Sequence, residues 1–410
     1  MITRVHWVIT RVKIFAFLAL LFATAKAPAQ VKIFGYWWEN PLPYQAVPQG
    51  LDSLSARKCG VCHQEIYREW QASAHAHALS DLQFQAEMKK SPEVGWLCLN
   101  CHTPLENQIE RIAVSVRNGS THQPVFRANA RFDRELHEDA VTCAVCHVRD
   151  GVILGPYADS KAPHPVRQDR RLLTAEVCTM CHQATAAYTD TLVCTFDTGA
   201  EWKGGPYAAR GETCSSCHMP SVERAVALGG PLRPSRRHLF FGSKIPKDIH
   251  LSESERAEYA IYQPGLSVTI VFARRSAGKT LVRLKLKNAR AGHMLPTGDP
   301  ERFIRVDIAL VGAGKAASGK AAASKTIATQ SLRIGQQWEW WPKAKKLGDN
   351  RLKPLEERVE NVLFRTAQPA TLRVSVTNCR LSEQNARYHN LVGRYPLEAQ
   401  VLELPPYRIE

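Results

Sequence analysis

The sequence predicts an α+β protein: a mainly α, loop-rich unit over residues 51–250, followed by a β-sandwich-like unit over 256–410. Two observations predict this division. A Cys-x-x-Cys-His pattern recurs five times between Cys59 and His218, and a period-two alternation of apolar and polar residues begins after Arg256.

Residues 1 to 13 carry Arg4, Arg11 and Lys13 and no acid, and an apolar run of 12 residues follows from Ile14 to Ala25. Small residues then recur at Ala25, Ala27 and Ala29. Basic, apolar and small segments in that order predict a secretory signal peptide over residues 1–29. A membrane-spanning helix needs about 20 apolar residues, which this run lacks. The mature chain is therefore expected outside the cytoplasm, in the periplasm, with no membrane-spanning segment.

The full chain carries 54 basic and 38 acidic residues, a formal charge of +16. Loss of Arg4, Arg11, Lys13 and Lys26 would leave the mature chain near +12, by subtraction from that total. An exported chain rarely meets nucleic acid, so no nucleic-acid partner is expected and the excess must answer another anion.

Ten of the twelve cysteines fall in five pairs, each followed at once by histidine. They are Cys59, Cys62 and His63; Cys98, Cys101 and His102; Cys143, Cys146 and His147; Cys178, Cys181 and His182; and Cys214, Cys217 and His218. This is the attachment pattern for c-type haem. Two thiols three positions apart on a helical turn reach the two vinyl groups of one macrocycle, and the adjacent histidine lies under its iron. Zinc also uses CxxC pairs, but it needs no histidine after every pair, and five pairs do not divide into four-cysteine sites. A disulfide framework would put no histidine in register either. Five haem c groups are therefore expected, and their propionates account for much of the basic excess. Cys194 and Cys379 are left over, as one disulfide or as two free thiols.

The motifs begin at 59, 98, 143, 178 and 214. So little chain per cofactor cannot build a separate domain around each, so the haems must share one compact unit and form much of its core. Short helices, many loops and almost no sheet are expected there.

Each iron also needs a sixth ligand. Methionine is scarce, and only Met88 and Met294 are placed to serve, whereas nine histidines of the mature chain lie outside the motifs. That supply favours bis-histidine haems of low potential. His164 is held between Pro163 and Pro165, His238 follows the basic run 233–237, His137 precedes Cys143 by six residues, and His293 lies in the loop Gly-His-Met-Leu-Pro-Thr-Gly. These four are candidate sixth ligands.

The stretch Cys59 to Ser80 resembles the first haem segment of the multihaem cytochromes related to the nitrifier tetrahaem cytochrome c. Trp70, Ser73 and His75 match that family's tryptophan, serine and histidine on one helix. The stretches CLNCHTPL, VTCAVCHVRDG, APHPV and CSSCHMP are also similar to it, so the resemblance covers most of residues 51–245. It implies a largely helical domain with close-packed haems and favours His75 over His77 as a ligand. The family's known member has four haems, whereas this chain has five motifs.

After Arg256 the alternation runs through Leu266, Val268, Ile270 and Phe272, then Val282, Leu284 and Leu286, Ile304 to Leu310, and Leu372 to Val376. Such alternation predicts half-buried strands, and several of them predict an antiparallel sandwich. Residues 312–325 are low in complexity and are expected to form a surface loop.

Electron transfer with redox partner proteins is the expected role. The alternative is a multihaem oxidoreductase acting on a small nitrogen or sulfur compound at a five-coordinate haem. A third class is a surface scaffold whose sandwich binds a partner.

Overall fold

The computed structural model describes residues 33, 35–157, 162–247, 252–312, 325–366 and 368–409. The expected leader, His250 and most of the low-complexity stretch lie outside them.

The helices that carry the five motifs are short: Ala56–Gly60, Gly95–His102, Cys143–His147, Glu176–Thr179 and Cys214–His218. Isolated helices of this length are marginal in water, so they depend on caps and on what they pack against. Ser55 caps the first by accepting the Arg57 amide, and Asp81 caps the helix Leu82–Lys90 by accepting the amides of Gln83 and Phe84.

The expectation of almost no sheet in this region is corrected. Nine short strands connect the helices: β1 Arg111–Val116, β2 Pro124–Ala128, β3 Val148–Arg149, β4 Val152–Gly155, β5 Val166–Gln168, β6 Ala184–Ala187, β7 Val193–Phe196, β8 Ser221–Ala225 and β9 Leu232–Arg236. They form three hairpins, β1–β2, β6–β7 and β8–β9, and one small sheet, β3–β4–β5. These ladders satisfy the backbone of the long connections, which would otherwise leave polar groups unpaired beside an apolar core.

Nine further strands follow: β10 Leu266–Ser276, β11 Lys279–Asn288, β12 Phe303–Gly312, β13 Lys325–Glu339, β14 Lys345–Asp349, β15 Glu357–Phe364, β16 Thr371–Cys379, β17 Glu398–Glu403 and β18 Tyr407–Arg408. One sheet has the order β10–β11–β15; the other has β14–β13–β12–β16–β17, with β18 also paired to β16. All these pairs are antiparallel. Val282, Leu284 and Leu286 of one sheet and Val306, Ile308, Leu310, Leu372 and Val374 of the other share a single core. The alternating charges face outward, where Lys285 and Lys287 meet Glu357.

The β10–β11 turn needs left-handed backbone at both central residues, supplied by Ala277 at φ 46° and Gly278 at φ 75°. One residue departs from the alternation. The register of β10 shifts between Ile270 and Phe272, which turns Ala273 into the core and leaves Phe272 outside under Arg274 and Arg283. A bulge inserts one residue and exchanges the faces beyond it.

The two parts of the chain meet around the helices Thr198–Lys203 and Pro206–Ala209. Glu201 accepts from Thr297 at 2.6 Å and from Arg351 at 2.8 Å, and the Tyr207 hydroxyl donates to the Ala289 carbonyl at 3.2 Å. Gly292 packs closely on Trp202 and Tyr207, where an added Cβ would come within 3.3–3.4 Å of their side chains. Trp202, whose indole donates to the Glu212 carbonyl, is thus a packing residue.

Candidate haem sites

All fifteen cysteines and histidines of the five motifs line one connected cavity of about 2870 Å³. That is several times the roughly 300–1,000 Å³ of a site for one small ligand.

Five histidines outside the motifs line the same cavity; four of them each face a motif histidine, and the fifth, His389, lies 3.4 Å from Glu87. Ring centres lie 6.5 Å apart for His63 and His164, 6.3 Å for His75 and His182, 6.2 Å for His147 and His238, and 6.1 Å for His218 and His293. Two imidazoles on opposite sides of one metal, each bonded at about 2 Å through a nitrogen, put their ring centres about 6 Å apart. Among the described residues no group of three or more His, Cys, Asp or Glu converges as a bare metal cage requires. Facing imidazole pairs with no further protein ligand fit a metal whose remaining ligands come from a macrocycle.

The hydrogen bonds point the same way. His63, His102, His147 and His218 engage through Nδ1 the carbonyls of Val226, Ala78, Leu154 and Phe241. His238 and His293 do the same with Arg236 and Met294. A ring that donates from Nδ1 presents a bare Nε2, as an iron ligand must. Burial, reinforced by neighbouring histidines, pushes His75 down to about 3. Burial likewise brings His238 to about 3, and His102, His182 and His293 to about 4. These rings are neutral at physiological pH.

Each facing histidine is held by a distinct device. Trp70 donates to the Val141 carbonyl at 2.9 Å, Ser73 accepts the His75 amide at 3.2 Å, and the Val141 amide bonds the His75 carbonyl. His164 follows Pro163, whose carbonyl presses on Gly50; a Cβ there would lie 2.7 Å from that oxygen, and φ is +84°, so only glycine fits. The loop of His293 hangs on Asn288, whose amide donates to the carbonyls of His293 and Leu352 and accepts the Ala291 amide.

His137 is not brought to any motif histidine. It is absent from the cavity lining, its Nδ1 engages the Gln108 carbonyl at 2.7 Å, and its ring meets Phe132 edge-on. Proximity in sequence to Cys143 misled the expectation, because the helix Arg134–Glu138 turns His137 toward Gln108. His77 is bonded to the Gln71 carbonyl, and His122 uses both nitrogens, on Glu93 and on the Tyr188 carbonyl. His102 differs from the other four motif histidines. Phe84 stacks on its ring with centres 3.6 Å apart and planes at 7°, and no other described histidine ring faces it. Met88 packs against Gly95. Cys194 and Cys379 form no disulfide with one another.

Thiols of different motifs also lie near one another: Cys59 near Cys143, Cys101 near Cys181, and Cys178 near Cys214. Sequence reasoning missed these junctions, since nothing in motif spacing encodes which motifs become neighbours.

Paired thiols beside facing imidazoles in one shared cavity define a scaffold for several covalent haems. The family model described as cytochrome c554 and c-prime matches residues 58–148. In fold, the chain is similar to a penta-heme cytochrome c552 from Thermochromatium tepidum, with a TM-score of 0.59, 17% identity, and coverage of 86% of this chain and 98% of that one. Over residues 58–148 the sequence is thus similar to that family, and the fold is similar to that of a multihaem c-type cytochrome. A β-glucosidase from Kluyveromyces marxianus (TM-score 0.16, 12% identity, 36% of this chain and 15% of that one) and the sporulation control protein Spo0M from Bacillus subtilis (TM-score 0.17, 10% identity, 37% and 50%) also match. At those scores they bear on nothing further. No curated protein matches the chain in sequence.

Proposed function

We propose that this chain is an exported electron-transfer protein carrying five haem c groups over residues 51–250, with a β-sandwich domain at 256–410. The observation that carries the reading is the set of four facing imidazole pairs lining one cavity with all five attachment motifs. Each haem supplies an iron that exchanges one electron. The residues of the chain do the rest. The cysteines of each motif would hold its macrocycle, and at four motifs a facing pair of histidines would hold the iron, which would keep substrates off it and favour low potentials. The closeness of these thiols supports a route from the first motif to the third, and from the second through the fourth to the fifth. Cys146 and Cys181 also lie close enough to influence one another, which supports a link between the third and fourth. The sandwich contributes His293 to the fifth site. No described helix is long and apolar enough to cross a membrane, which agrees with a protein that meets redox partner proteins in the periplasm. Reductive titration followed by electron paramagnetic resonance tests the reading. At least four low-spin haems that reduce reversibly support it; a mostly high-spin spectrum overturns it.

A second reading is carried by His102 alone. Without a facing histidine, its haem would present an open coordination position, where a small nitrogen or sulfur compound could bind and accept electrons from the other four. A high-spin signal that disappears on adding nitrite, hydroxylamine or sulfite supports this oxidoreductase reading. An entirely low-spin spectrum overturns it and passes the sixth position to another histidine, such as His389, which lines the same cavity, or His250.

A further inference from the structure

Glu69 is a carboxylate only 2% exposed, on the helix Gln64–Gln71 that follows the first attachment motif. Its two oxygens meet Arg224, itself 6% exposed, in a bidentate pair at 2.8 and 2.9 Å. Arg237 adds a third donor at 3.0 Å, and the backbone N–H of His238 adds a fourth at 2.8 Å. Arg224 also donates to the Arg236 carbonyl at 2.8 Å. That carbonyl is the same one His238 engages through Nδ1 at 2.9 Å. The backbone of residues 236–238 is therefore gripped twice, once by Glu69 directly and once through Arg224. Both grips converge on the ring that faces His147.

We propose that Glu69 is a positioning residue for the haem of the third motif: acting through the His238 amide and through Arg224, it fixes where the His238 imidazole meets the iron. The proposal rests on the reading of His147 and His238 as an axial pair.

The physical case is one of geometry against cost. Burying a carboxylate with two guanidinium groups is no bargain for stability, since desolvation offsets most of the attraction. A bidentate pair does, however, impose direction. His238 lies on the segment after β9, outside any helix or strand, so its own secondary structure does not orient it. Partners that hold a metal-binding imidazole from behind commonly decide whether it binds. Glu69 belongs to the first haem segment, so the arrangement also ties the ligand of the third haem to the chain around the first.

The test compares Glu69→Gln, Arg224→Lys and His238→Ala in the full-length holoprotein, each checked for unchanged haem number by intact mass. His238→Ala is expected to convert one haem to high spin and defines the signature of the third site. Glu69→Gln should reproduce that signature in part, raise the midpoint potential of the same haem by removing a nearby negative charge, and return to low spin on adding imidazole. Arg224→Lys, which keeps the charge but loses the fork, should give the same spin change more weakly, without the rise in potential that loss of a charge brings. If His238→Ala opens a haem while the other two variants stay low-spin with unshifted potentials, the positioning role is overturned and the pairing stands. If His238→Ala changes no spin state, the pairing itself fails. Should Glu69→Gln not accumulate, Arg224→Lys alone decides between these outcomes.

Discussion

The imidazoles of His218 and His293 lie 6.1 Å apart, centre to centre, with their planes only 12° from parallel. One sits on the helix Cys214–His218 and the other on the loop after β11, so this pair of rings spans the helical part of the chain and the sheets. The junction is reinforced on both sides by Glu201 with Arg351 and by Tyr207 with Ala289.

His293→Ala should therefore turn the fifth-motif haem high-spin and leave the other haems as they are. A chain ending at Arg256 should keep all its covalent haems, because the thioethers do not depend on the sheets, yet show the same single change. Electron paramagnetic resonance of both proteins checks this; a truncated protein with an unaltered spectrum would reduce His293 to a loop residue.

His75→Ala and His137→Ala should behave oppositely. The first should open the haem at His182, whose ring His75 faces at 6.3 Å. The second should leave every spin state unchanged, because His137 lies outside the lining of the cavity that holds the motifs. A high-spin signal in His137→Ala would mean that this side chain reaches an iron after all.

How much of this was legible beforehand depended on range. The attachment residues could be read directly, because thiol, thiol and imidazole must sit on one helical turn. The sheets could be read from alternation, as at Val282, Leu284 and Leu286, except where a bulge exchanged Phe272 for Ala273. Which histidine faces which could not be read, since His75 meets His182 and His164 meets His63 through contacts far apart in sequence. Glu69 was invisible for the same reason: a glutamate on a short polar helix carries no mark of the arginines that arrive from β8 and beyond.

Asn288→Ala should destabilise the protein by about 1–3 kcal/mol, the usual cost of leaving buried partners of an amide unsatisfied. Asn288 is fully buried and organises the Ala291, His293 and Leu352 backbone. Beyond stability, the variant should weaken ligation by His293, seen as a partial high-spin signal that grows with temperature. A loss of stability without that signal would confine Asn288 to the sheet core.

Intact-mass analysis of the mature protein should show five additions of about 616 Da, one for each doubly tethered macrocycle. A reproducible shortfall would identify one motif that is not loaded, and peptide mapping would show which.

The large cavity has a consequence for how the molecule is made. The sheets close on a core of their own, from Leu266 to Ile409, and need nothing but protein to do so. The motif-bearing half has only small apolar clusters, around Trp38 and Leu54, separated by space that side chains do not fill. A newly made chain would thus finish one half early and hold the other open, accessible to the machinery that stitches each macrocycle to its thiols. Glu201 with Arg351 and Tyr207 with Ala289 join the halves without any macrocycle, so ligation by His293 would be the last contact made there, once the fifth motif is loaded.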